Sequence, residues 1–202
     1  MPKTGLTSDE IKEKALQIAE DKIRYYGFEK FRLTDIAKEL KVSQAALYNH
    51  FPDKAALLDA ISERWLSRLD NALALITQKE ASPQQLILEW FQRYHELKKE
   101  KVLQDPELYK SFSMAAELLK PFIVQHLNNV HNQLLILVQK ATAAGEIHSE
   151  SPAKAVRLLL EATVSFHHPQ MVLEHKAEHR DPLLKDLVEV MLLGFQDTDS
   201  KR

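Results

Sequence analysis

Apolar residues between positions 33 and 51 follow two short helical registers separated by a break. Leu33, Ile36, Ala37 and Leu40 fall at i, i+3, i+4 and i+7, the spacing of one buried helix face, and Val42 leaves that period at a turn. Ser43 suits the start of a second helix, because its hydroxyl can accept an orphaned backbone N–H. That helix carries Gln44 to His50. With Ala46, Leu47 and Phe51 turned inward, Gln44, Ala45, Tyr48 and Asn49 form an outward polar and aromatic face. An element this narrow fits the major groove of DNA.

Helix punctuation continues along the chain. Thr7-Ser8-Asp9-Glu10 is a capping box that opens a helix to about Tyr26, where Gly27 stops it. Pro52-Asp53 opens another to about Thr77. Capping residues followed by Pro occur at Ser82-Pro83, Asp105-Pro106, Ser151-Pro152 and Asp181-Pro182, each marking a helix start. Pro121 opens a long apolar helix that ends near Ala144, with Gly145 behind it. About nine helices and no strand, repeat or low-complexity segment are predicted. The chain is thus read as all-α, with a three-helix domain at 1–59 and a second helical domain at 60–202.

Composition agrees with that reading. The chain has 202 residues, 45% hydrophobic and 28% charged, enough for a sizeable core, and only four glycines for turns. No run of roughly eighteen apolar residues suggests a membrane span. The start, Met-Pro-Lys-Thr-Gly-Leu, lacks the apolar core of a signal peptide, and cysteine is absent. A cytoplasmic protein without thiol redox sensing or thiolate metal sites is expected. The formal charge of −2 argues against a generally basic nucleic-acid binder. Locally, however, seven cations (Lys22, Arg24, Lys30, Arg32, Lys38, Lys41 and Lys54) stand against four anions. A solvated helical surface would show the same excess; the two-helix pattern is what makes it a phosphate footprint.

The runs Asp35-Ile36-Ala37, Val42-Ser43, Leu47-Tyr48-Asn49-His50-Phe51 and Asp53-Lys54 with Leu57-Leu58 resemble the DNA-binding half of the TetR family of bacterial repressors. Ala15, Ile18, Ala19 and Tyr26-Gly27-Phe28 extend the likeness to roughly residues 10 to 65. It implies a dimeric transcriptional regulator, more commonly a repressor, whose partners are double-stranded operator DNA and a small-molecule effector, with no cofactor. Gln44, Ala45, Tyr48 and Asn49 would then lie along the groove, while Arg32, Ser43, His50 and Lys54 would reach phosphates. Gln44 can pair bidentately with adenine. The helix from Asp53 would link the reader to a second core and transmit a tilt. Two positions depart from the family's pattern. Lys41 stands where Gly, which takes positive φ freely, is most frequent. Arg32 stands where Thr is frequent; it cannot cap, yet it can reach a phosphate.

In the C-terminal part, Ala153 to Phe166 and Leu183 to Phe195 are apolar over more of their circumference than one core requires. A central helix buried in a monomer would read the same. The resemblance implies instead a four-helix bundle between two copies, hence two recognition helices about one DNA turn apart and a palindromic operator. Trp90, Tyr94, Tyr109, Phe112, Phe122, His126 and Phe166 are candidates for an effector pocket, although residues at helical spacing also serve as plain core. His167, His168, His175 and His179 form a local concentration, with His175 and His179 at an i, i+4 spacing that suits a metal ion. Against this, Pro169 interrupts the helix, and 174–181 reads as a polar loop. A metal-sensing repressor, or a DNA-binding protein without an effector, remains the alternative. No Gly-rich phosphate loop, Ser or Cys nucleophile motif or paired acidic motif is present, so catalysis is not expected.

Overall fold

The computed structural model describes residues 5–195; positions 1–4 of the N-terminal stretch discussed above lie outside them. Among the described residues there are ten α-helices and no strand. In chain order they are α1 (Ser8–Tyr26), α2 (Leu33–Leu40), α3 (Gln44–Tyr48), α4 (Lys54–Ala74), α5 (Pro83–Gln104), α6 (Pro106–Glu117), α7 (Pro121–Ala143), α8 (Pro152–Ala162), α9 (Pro169–Glu174) and α10 (Asp181–Gly194). None is long and apolar enough to cross a membrane. The helices form two compact units. One runs to Trp65 and takes in Asp105–Lys120; the other comprises Leu66–Gln104 and the chain from Pro121 onward.

In the first unit, α1, α2 and α3 close on a core that includes Ala15, Ala19, Ile23, Ile36, Leu47 and Phe51. Fully burying a Leu, Ile or Phe side chain contributes about 1.5–3 kcal/mol, so a five-residue helix such as α3 holds through Leu47 and Phe51 and not through its own hydrogen bonds. The Thr7 capping box forms as read, its hydroxyl accepting from Glu10 N while Glu10 accepts from Thr7 N. Arg64 of α4 holds α1 by donating to Glu13 at 2.5 Å and to Glu20 at 2.6 Å. The unit that contains the helix-turn-helix also includes α6, whose Leu108 joins the same core.

The turn between α2 and α3 carries the expected strain. Lys41 caps α2 in the left-handed region at φ 56°, ψ 34°, where its N–H reaches the carbonyls of Ala37 and Lys38. A side chain with a Cβ costs roughly 1–2 kcal/mol there. Arg32 at the start of α2 makes no side-chain cap, as its chemistry requires.

In the second unit α5 packs on α7, α9 and α10, and α7 carries α8. Leu86, Ile87, Trp90 and Phe91 of α5 meet a core to which α7 adds Val130, Leu134 and Leu137. The start of α5 is closed by Glu146, whose carboxylate accepts from Ser82 Oγ at 2.9 Å and from Gln84 N at 2.8 Å.

Several helix boundaries differ from the sequence reading. Asp181 lies inside α10 with Arg180 at the cap, and the Asp181 carboxylate accepts from Lys99. The run from Ala153 to Phe166 is not one helix: Thr163 turns its hydroxyl back to the Leu159 carbonyl at 2.7 Å, α8 stops at Ala162, and a 3-10 turn follows. Pro169, read as an interruption, begins the short α9. In addition, Asp105 makes no cap to α6. Its buried carboxylate takes the Arg24 guanidinium in a two-pronged pair, Nε to Oδ1 and Nη2 to Oδ2, the latter at 3.1 Å. This pair raises the Arg24 pKa above its ordinary value.

Asp105→Ser would place a side chain able to cap α6 at this position but lose that pair. We expect it to destabilise the protein about as much as Asp105→Ala, by roughly 1–3 kcal/mol in chemical denaturation, because the charge-assisted bonds are lost in both. A Ser variant as stable as the wild type would return Asp105 to a capping role.

Candidate functional site

The outward face of α3 is assembled by what α3 buries. Leu47 is fully inside, and Phe51 just beyond the helix is 2% exposed, leaving Gln44, Ala45, Tyr48 and Asn49 exposed. Ala46 is half-buried. The helix is shorter than read, since Asn49 is already its C-cap. Ser43 accepts from Ala46 N at 3.1 Å, which leaves its own O–H free to donate. His50 is half-buried and lies 3.4 Å from Ser8 Oγ. Arg32 is exposed at the neighbouring start of α2. These seven candidates therefore fall along one stretch of the helix-turn-helix. Lys54, the eighth, is partly committed. Its ammonium donates to the Glu29 carbonyl at 2.8 Å and lies 4.8 Å from the centre of the Phe31 ring, with N–H groups to spare for a phosphate.

The local basic excess is redistributed by ion pairs. Lys22 binds Glu39 at 2.8 Å and Arg24 binds Asp105, so neither is a loose surface cation. Lys30, Arg32, Lys38 and Lys41 are exposed and pair with no carboxylate among the described residues.

A second arrangement lies in the core of the second unit. His126 Nδ1 is 2.5 Å from Asp70 Oδ1, so this nitrogen carries the proton and donates to the carboxylate. Nε2 of the neutral ring is then an acceptor, and the Tyr94 hydroxyl, 3.0 Å away, donates to it. Asn129 donates to Asp70 Oδ2 at 2.7 Å. Gln133 joins the group, accepting from Trp90 Nε1 at 2.9 Å and donating to the Asp70 carbonyl at 3.0 Å. Two further groups pack on the Tyr94 ring: Lys98 Nζ, 5.1 Å from its centre, and the His167 ring, stacked at 5.4 Å. Lys98 is only 2% exposed. Burial lowers its pKa to about 7 against the opposing attraction of Asp70, and burial, aided by the Lys98 charge, lowers His167 to about 3. Burial also lowers His126, opposed by its bond to Asp70.

The sequence-derived effector candidates divide between the units. Trp90, Tyr94 and His126 meet in this cluster. Phe166 lies in the same unit against His95, which donates through Nδ1 to the Phe166 carbonyl at 2.8 Å, and under Arg180 at 4.4 Å. Phe122 is half-buried at the start of α7. Tyr109 and Phe112 belong to the first unit, edge-on to Trp65 at 6.0 and 4.7 Å. Asp70, Lys98 and His167 were not singled out for this role, yet the period announces two of them. Asp70 completes Leu66, Leu69 and Leu73 on one face, and Lys98 continues Trp90 and Tyr94 at i+4 and i+8.

Of the four concentrated histidines, His167 is inside this cluster and donates to the Leu160 carbonyl at 3.2 Å. His175 pairs with Glu178 at 2.8 Å and His179 with Asp181 at 3.1 Å. They do not share one centre with His168; among the described residues no three potential ligands are grouped. Two open grooves of about 280 and 350 Å³ lie along α5 and α10, lined by Leu88, Leu192 and Leu193 and by Arg93, Glu96 and Asp181 among others. Neither is lined by the effector candidates.

The sequence matches the family model described as bacterial regulatory proteins, tetR family, over residues 16–61, and that described as tetracyclin repressor-like, C-terminal domain, over residues 83–188. No curated protein matches it. The fold is similar to a protein of unknown function from Rhodococcus sp. RHA1, at 22% identity, 93% coverage of this chain, 96% of that one and a TM-score of 0.70. It is also similar to a transcriptional regulator of the TetR/AcrR family from Thermobifida fusca YX-ER1, at 16% identity, 92% and 98% coverage and a TM-score of 0.67. RolR in complex with resorcinol is a third, at 15% identity, 96% and 91% coverage and a TM-score of 0.61.

Lys98 yields a pH dependence. Its pKa falls from 10.5 to about 7 on folding, so between those values the unfolded chain binds more protons and stability rises with pH. That contribution is lost as pH drops through about 7. We expect Lys98→Met to unfold at a higher temperature than wild type at pH 7 and to show a flatter rise toward pH 10. Parallel pH profiles for the two proteins would show that Lys98 does not titrate in this way.

Proposed function

Because the chain belongs to the tetR family of bacterial regulatory proteins, we propose that it is a dimeric transcriptional repressor that binds a palindromic operator through α3 and is released by a small-molecule effector. The observation that carries the DNA-binding half is the exposed face of Gln44, Ala45, Tyr48 and Asn49, beside Arg32, Ser43, His50 and Lys54. Gln44 reads a base, Tyr48 and Asn49 follow the groove, and the others fix the register through phosphates.

Dimerisation is supported by apolar side chains left exposed on the last two long helices. Leu158 on α8 and Leu183, Val190 and Leu193 on α10 are 42–64% exposed, although both helices already bury an inner face. A twofold four-helix bundle would cover them.

The effector site we assign to the polar cluster around Tyr94, His126, Asp70 and Lys98. A buried charged network is weak in stabilising a fold and well suited to recognising a polar ligand. A structural neighbour, RolR, is described in complex with resorcinol, which supports a small molecule as the signal. Since α4 contributes residues to both units, a shift of Asp70 on effector binding has a covalent route to the reader.

Selection of sites from random DNA should return a palindrome, with binding that weakens steeply as salt rises. Gln44→Ala should relax preference at one base pair per half-site, a loss of about 1–3 kcal/mol of discrimination. Lys54→Ala should weaken all sequences equally. Failure to enrich any sequence would remove the operator reading. For the effector, a compound that binds only the native state must raise the unfolding temperature, and it should do so less in Tyr94→Phe. A compound that stabilises both proteins equally would place the effector elsewhere.

A further inference from the structure

We infer that Lys41, in the turn of the helix-turn-helix, is a DNA-phosphate ligand kept at the expense of a strained backbone. This rests on the reading of α3 as a DNA reader and adds to it a residue that the sequence marks only as a departure from the usual Gly. The starting observation is conformational. Lys41 is one of two described non-glycine residues with positive φ, at 56°, and glycine would take this conformation without strain. Strain of this kind persists where the residue's side chain has a use that glycine would not supply.

Nothing among the described residues supplies such a use. Lys41 is exposed, which removes a packing role for its stem. Its side chain forms no hydrogen bond or ion pair with the described residues, in contrast to Lys22, which binds Glu39, and Lys54, which binds the Glu29 carbonyl. A cation at the C-terminus of α2 does compensate the helix dipole, but Lys38 already stands in that last turn. What remains is position. Lys41 precedes the Ser43 cap of α3 by two residues, and three further exposed cations without a carboxylate partner, Lys30, Arg32 and Lys38, are in the same unit. An ammonium at this turn can neutralise a phosphate close to where the end of α2 presents its negative carbonyls.

This assignment makes stability and affinity move in opposite directions, which a surface lysine with no partner would not do. Lys41→Gly relieves the strain and should raise the unfolding temperature by about 2–4 °C in a chain of this size. It should also weaken DNA binding about fivefold for each phosphate left unneutralised at about 0.15 M salt, and lower the salt slope by about 0.9 per phosphate. Lys41→Met keeps the strain and removes the charge, so its affinity should fall equally with no gain in stability. Lys41→Arg should bind as the wild type does. Weaker binding in Lys41→Gly alone would assign the effect to turn geometry and overturn the proposal. Equal salt slopes in all four proteins would overturn it too. Both measurements use the selected duplex and a random-sequence duplex, and removal of a phosphate ligand must weaken both alike. A wild-type protein that binds neither duplex would refute the DNA-reading function itself, an outcome distinct from wild-type binding that Lys41 does not influence.

Discussion

The carboxylate of Asp70 is the constraint on which the second unit turns. A charge taken out of water must be met by donors, or the group abandons its charge. Here the donors come from α7, as His126 and Asn129, while Gln133 takes the adjoining backbone carbonyl. The requirement then propagates. With His126 Nδ1–H committed to Asp70, Nε2 is left as an acceptor, Tyr94 of α5 fills it, and the tyrosine ring becomes the plate on which Lys98 and His167 lie. One buried charge thereby ties α4, α5 and α7 together through directional hydrogen bonds, which tolerate less displacement than apolar contacts.

The first unit is organised by shape and not by a central charge. Leu47 and Phe51 anchor the shortest helix, α3, and ion pairs sit at the margins: Arg64 with Glu13 and Glu20, Arg24 with Asp105, and Lys120 with Asp59. Two of these pairs engage the residues at either end of the α6 segment. That segment returns to this unit after α5 and is held at its entrance by Asp105, at its exit by Lys120 and between them by Tyr109 and Phe112 on Trp65. The helix α4 contributes Arg64 and Trp65 to this unit and Leu66, Leu69 and Asp70 to the other. A single helix thus answers to two cores.

Sequence alone reaches most of this architecture where local chemistry decides it. The Thr7 capping box, the stops at Gly27 and Gly145 and the starts at Pro83, Pro106, Pro121 and Pro152 are local signals, and each coincides with a helix end. The exposed face of α3 follows from the burial of Leu47 within it and of Phe51 just beyond it. What is not legible is long-range polar pairing. Asp105 has the composition of a cap, and only the approach of Arg24, eighty-one positions earlier, takes its carboxylate away. Lys98 sits in the run Glu96-Leu97-Lys98-Lys99-Glu100-Lys101, which has the look of a solvated surface, and its burial depends on Trp90 and Tyr94 placing that face inward. The split of α8 from the following 3-10 turn, where the Thr163 hydroxyl returns to the Leu159 carbonyl, is not encoded by apolar periodicity.

Lys41 and Lys98 violate local expectations in different ways, one through backbone conformation and one through burial. Both substitutions are easy to write down: glycine for the first, a long apolar side chain for the second. A chain selected for stability alone would have no reason to keep either lysine, since consistency across propensity, packing and electrostatics is what makes a fold secure. Their positions make the exceptions informative. One stands in the turn that sets α3 against α2, and the other lies on the aromatic ring at the centre of the second unit's polar network. The two exceptions thus fall at the places to which we assign the contacts with DNA and with the effector, where a regulator has a reason to depart from the consistency that holds its leucine-rich packing together.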